Sequence, residues 1–117
     1  MNKTLACLLT FMLSSAAAAA EITVLSGGAI EPGLKAAAAA FEKQSAHTVK
    51  ITFNTTPQIT KRLEGGDTFD VVVAPPAAAD PFVKGGKLES GGVNVGRVGL
   101  GAVVRPGAPR PDLSPMR

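Results

Sequence analysis

Tryptophan and tyrosine are absent from this chain, and cysteine and histidine occur once each, as Cys7 and His47. These gaps exclude much chemistry at once. A single cysteine allows no disulfide within the chain and no thiolate metal site. A single loop histidine, with no second His, Cys or carboxylate beside it, reads as a surface residue and not a ligand. No stretch offers the roughly 18 uninterrupted apolar residues of a stable membrane anchor. Twelve Lys and Arg against nine Asp and Glu give a net charge of +3. These charges are scattered and form no basic stripe, so they read as a solvated face and argue against nucleic-acid binding.

Catalytic signatures are missing too. No G-x-S-x-G nucleophile turn is present, and no G-x-x-x-x-G-K-[ST] phosphate loop. The sequence Ser26-Gly27-Gly28 lacks the full dinucleotide glycine pattern and its downstream acid. The carboxylates Glu31, Glu42, Glu64, Asp67 and Asp70 stand apart, at helix ends or in loops, and form no acid/base pair or metal cluster. The expectation is a protein that is not an enzyme and carries no cofactor.

What is present begins with a leader. Lys3 supplies positive charge, residues 5–13 are apolar, and residues 14–20 end in small side chains suited to cleavage after Ala20. Residues 1–20 therefore read as a cleavable signal peptide. Its removal takes Cys7 with it, and export without disulfides fits a bacterial periplasm.

The mature chain is organised around residues 22–44. Residues 22–25 predict a strand, residues 26–29 a small-residue turn, and Glu31 with Pro32 the first turn of a helix. Leu34, Ala37, Ala38 and Phe41 recur at helical spacing and give that helix one apolar face. Residues 49–53 alternate as a second strand. Thr56 as N-cap and Pro57 open a second helix to about Glu64, with Ile59 and Leu63 inward and Gly65-Gly66 as the stop. The continuous apolar run in residues 68–74 predicts a third strand buried on both faces. Asp70 there reads as a loop or surface carboxylate. A weak third helix, residues 77–84, is interrupted at Asp80-Pro81. Residues 97–105 predict a fourth strand, and residues 106–117 a proline-rich extended tail. The expected fold class is α/β: a three-layer unit with a mainly parallel sheet, occupying residues 21–105.

Such a sheet gathers strand ends on one edge. Residues 26–29, 54–57 and 74–76 would converge there, two of them leading into helices whose free N–H groups accept an anion. Ser26, Thr55 and Thr56 would add hydroxyl donors. The alternative reading of the same hydroxyls is that they simply cap helices.

The segment ITVLSGGAIEPGLKAAAAAFEKQSAHTVKITFNTTPQITKRLEGGDTFDVVVAPP resembles the first lobe of the molybdate-binding proteins, periplasmic solute-binding components of ABC transporters. The likeness rests on the strand–turn–helix opening, the hydroxyl-rich turn before the second helix and residues 64–71. RVGLGAVVRPGAPRPDLS adds to it. The resemblance implies one lobe of a type II periplasmic binding protein, a tetrahedral oxyanion held by neutral hydrogen bonds, and a transporter permease as partner. It places the family's first-turn serine at Ala29, a second hydroxyl at Thr56, and a backbone contact at Pro75. Two of these three contacts are altered, since Ala29 has no hydroxyl and Pro75 no N–H, so another anion or small solute is also expected. The second lobe of that family would follow where this chain stops. The rival expectation is a truncated, non-binding remnant or interaction domain.

Overall fold

A computed structural model describes residues 18–99, 101–112 and 114. Residues 1–17 of the expected leader lie outside the described residues. The elements run β1 (Glu21–Gly27), a 3-10 turn (Gly28–Ile30), α1 (Glu31–Gln44), β2 (Thr48–Asn54), α2 (Thr56–Glu64), β3 (Val71–Val73) and α3 (Pro76–Lys84). The three strands form one parallel sheet in the order β2-β1-β3. The α/β architecture is therefore present, with β1 at the centre.

Register explains the two faces. Val24 lies beside Ile51 and Val71, and Ser26 beside Phe53 and Val73, all on one face. Leu25 lies beside Thr52 and Val72 on the other. The crossovers β1–α1–β2 and β2–α2–β3 step in opposite directions, so right-handed connections put α1 and α2 on opposite faces. The contacts agree. On the Leu25 face, Ile59 and Leu63 of α2 and Phe82 of α3 form the core, joined by Phe69, Val72, Ala74 and Leu88. On the other face, Lys35 of α1 sits over the Phe53 ring at 5.5 Å. α1 buries none of its residues fully.

Helix ends follow local chemistry. α2 stops where Gly66 takes φ 90°, a conformation that side chains other than glycine rarely adopt. Asp67 N–H then bonds the Arg62 carbonyl at 3.0 Å. α3 continues through Pro81, where an interruption was expected. Pro81 deprives only the exposed Ala77 carbonyl of a partner, and Phe82 next to it anchors the helix in the core.

Asp70 does more than decorate a loop. Its Oδ2 accepts from Thr23 N–H at 2.7 Å and from Thr23 Oγ1 at 2.8 Å. Its own N–H donates to the Thr23 carbonyl at 3.0 Å. Together these bonds clamp the start of β3 to β1. The Thr23 backbone bond, then its hydroxyl, holds the Asp70 carboxyl below its usual 3.8.

Three expectations change. β1 extends through Ser26 and Gly27, because both find partners on β2. β3 is only three residues long, and it is not buried on both faces, since Val71 is 45% exposed. α1 covers the β1–β2 half of its face and leaves Val71 bare. Residues 97–105 are not a fourth strand among the described residues; Val98 and Val103 are exposed and pair with nothing. A strand exists only by pairing, and no described residue of that segment is paired with a strand of the sheet.

Candidate functional site

The carboxyl ends of the strands open into a cleft of about 1150 Å³. Ala29, Thr55, Thr56 and Pro75 all line it, so the structure brings four expected site residues together. Ser26 is not among them. It is 0% exposed, in the sheet beneath the cleft, and its Oγ donates to the Gly27 carbonyl at 3.1 Å. The reason is the longer β1: Ser26 is held between Phe53 and Val73 in the register and does not belong to the turn.

The turn after β1 brings Gly28 and Ala29 to the rim in a single 3-10 turn. The start of α2 is the most polar part. Thr55, not Thr56, occupies the N-cap, which moves Thr56 into the first helical position and Pro57 into the second. Thr55 N–H donates to Gln58 Oε1 at 2.9 Å, and Asn54 Nδ2 reaches the same oxygen at 3.3 Å. Behind them Arg62 Nη1 donates to Asn54 Oδ1 at 3.3 Å while its Nε pairs with Asp67 Oδ2 at 2.7 Å. This chain of bonds fixes the orientation of the helix start. Asn54 falls within the expected edge at residues 54–57, whereas Gln58 escaped the sequence analysis, although Thr55-x-x-Gln58 is a capping-box signature that points to both the N-cap and its partner.

α3 contributes differently. Its N-cap is Pro75 and its first residue Pro76, so neither offers an N–H. Among the described residues lining the cleft, none carries an ionisable side chain; the polar ones are Asn54, Thr55, Thr56, Gln58 and Asn94. An anion here would meet the positive end of α2 and neutral donors, an attraction of about 0.3–1 kcal/mol from the helix dipole alone. No group of three His, Cys, Asp or Glu among the described residues could hold a metal ion. No described helix is long and apolar enough to cross a membrane.

A parallel sheet with its cleft at the strand carboxyl ends defines a binding lobe, and the family comparison gives the class. Residues 22–116 match the family of bacterial extracellular solute-binding proteins, and the chain belongs to it. The α/β unit is consistent with one lobe of such a protein, and membership implies a small-molecule ligand. Among curated proteins, the chain is 35% identical over 101 residues to an aconitate isomerase from a Pseudomonas species. The match covers 81% of this chain and 38% of that protein, so the chain spans well under half the length of this relative.

Proposed function

We propose that this chain is the ligand-binding lobe of a periplasmic receptor for a small anion, exported by a cleaved leader and serving an ABC transporter permease. The observation that carries the reading is the cleft itself: an oriented helix start with Thr55 and Thr56 at a rim free of ionisable side chains. Such a site selects anions through N–H and hydroxyl donors, without a counter-charge to bind any anion indiscriminately. Two anion classes fit. Molybdate-like oxyanions follow from the resemblance of the first lobe, and aconitate, a tricarboxylate, is the substrate named for the similar isomerase. We favour the carboxylate, because the cleft exceeds the space of a tetrahedral oxyanion and Ala29 lacks the hydroxyl of the molybdate pattern.

Catalysis by this lobe is the second reading, favoured only by the name of that relative. Isomerising aconitate requires removal and return of a carbon-bound proton, hence a base. The described lining supplies none. We therefore propose binding without reaction.

Scanning calorimetry tests this directly, since a chain without tryptophan or tyrosine suits it better than intrinsic fluorescence. Aconitate, citrate, molybdate and sulfate are added in turn. At ten times the dissociation constant a ligand stabilises by about 1.4 kcal/mol, enough to raise the transition by several degrees in a domain this small. The expected result is a rise with aconitate that Thr56→Ala diminishes. A transition that no anion moves overturns the proposal.

A further inference from the structure

Two side-chain amides meet at the start of α2, and their neighbours allow them only one orientation. Arg62 can donate a hydrogen bond but never accept one. Its Nη1 lies 3.3 Å from the Asn54 side chain, so the atom that faces it is the oxygen, Oδ1. Asn54 therefore turns its donor end, Nδ2, toward Gln58 and meets Oε1 at 3.3 Å. The Thr55 backbone N–H is also a donor only, and it reaches the same Oε1 at 2.9 Å. Two obligate donors, one at each end of the relay, thus agree on which way both amides face. Arg62 is itself held, by Asp67 Oδ2 at 2.7 Å from its Nε and by the Phe69 ring, whose centre lies 5.1 Å from the guanidinium carbon.

Gln58 is exposed and lines the cleft. With Oε1 engaged by two donors, the end that Gln58 offers to a ligand is Nε2 with its two N–H groups. A free glutamine can turn either end to a ligand and so accepts donors and acceptors alike. A glutamine fixed in this way recognises acceptors only. The described lining holds no cationic side chain, so oriented neutral donors set which ligand is held.

We propose, building on the anion reading of the cleft, that Gln58 is a specificity-determining residue whose Nε2 donates to a ligand carboxylate, and that Arg62 is its positioning residue, acting through Asn54. Arg62 does not line the cleft, and its charge is paired with Asp67. Its influence on the ligand is exerted through the orientation of the two amides.

The test uses the full chain with aconitate as the probe. Gln58→Glu keeps Oε1 for Thr55 and Asn54, and glutamate suits this position of a capping box as well as glutamine does. The change replaces Nε2 by an acceptor. The variant is expected to melt no lower than the wild type, yet to bind aconitate about tenfold more weakly in a calorimetric titration. In 15N-labelled wild type, the Gln58 side-chain amide signals, identified by their loss in Gln58→Glu, are expected to shift as aconitate is added. Arg62→Met frees Asn54 to turn and is expected to weaken binding by about threefold to tenfold. Arg62→Lys, still a donor only, is expected to recover part of that loss.

A helix-capping role alone predicts that Gln58→Glu binds as tightly as the wild type, and that result overturns the proposal. Gln58 signals that stay still while aconitate raises the wild-type transition also overturn it, and leave the anion reading standing. Equal binding by Arg62→Met and the wild type overturns the positioning role. A wild-type transition that no anion moves overturns the anion reading, and this proposal falls with it.

Discussion

The two faces of the sheet differ in how they are covered. On the side of Leu25, two helices bring Ile59, Leu63 and Phe82 into one buried cluster. On the side of Val24, a single helix longer than either of the others buries none of its own residues fully, and Phe41 remains 41% exposed. Length and alanine content make α1 a good helix, but alanine offers little surface to bury. The two shorter helices carry the large side chains. Packing strength here follows the side chains that meet the sheet, not the extent of the helix that carries them.

The largest test of this contrast compares Ile59→Ala with Leu34→Ala. Ile59 is almost fully buried, and its truncation is expected to cost about 2–5 kcal/mol by loss of transfer energy and creation of a cavity. Leu34 is half-buried on the thin face, and its truncation is expected to cost under about 1.5 kcal/mol. Urea unfolding of both variants measures the difference. Equal losses would show that the α1 face is as well packed as its opposite.

Next comes Gly66→Ala, at the end of α2 on the packed side. A methyl group there meets open space, so the cost is backbone strain alone, about 1–2 kcal/mol at φ 90°. Gly33→Ala, inside α1 and equally open, is expected to stabilise by up to about 1 kcal/mol because alanine suits a helix interior better. Opposite signs in thermal unfolding sharpen the comparison; the same sign breaks it.

The smallest effect depends on pH and concerns the clamp between β1 and β3. The folded state lowers the Asp70 pKa, so its contribution is present above the unfolded value of 3.8 and is lost as pH falls through the lower folded value. Asp70→Asn is expected to reduce stability at pH 7 and to flatten the fall in stability below 3.8. Unfolding midpoints of the two proteins, measured from pH 7 downward, would then converge as pH falls through that lower folded value. A constant gap at every pH would mean that the carboxylate charge plays no part in the clamp.

Much of this was legible in the residues. Alternation in β2, the glycine stop after Glu64 and the inward pair Ile59 and Leu63 are local signals, and the structure has each of them. What escaped depends on neighbours far along the chain. The extension of β1 through Ser26 is set by Phe53 and Val73, and this removes Ser26 from the cleft. Residues 97–105 have a strand-like composition, but composition cannot supply the adjacent edge that a strand requires. The role of Asp70 was invisible for the same reason, since its partner Thr23 is 47 positions away. At the site, Thr55-x-x-Gln58 was a readable signal that a one-residue shift in the N-cap obscured.

The central position of β1 also governs the order in which the lobe can assemble. Among the described strands it is the first to leave the ribosome, yet its two neighbours begin only at Thr48 and Val71. Both pairings are parallel and each closes over an intervening helix, so neither can form as a local hairpin. Until Phe82 has emerged, Leu25 has no complete core to enter. The nascent strand therefore travels uncovered while most of its lobe is still being made, a span in which a holding chaperone has its clearest target in this chain.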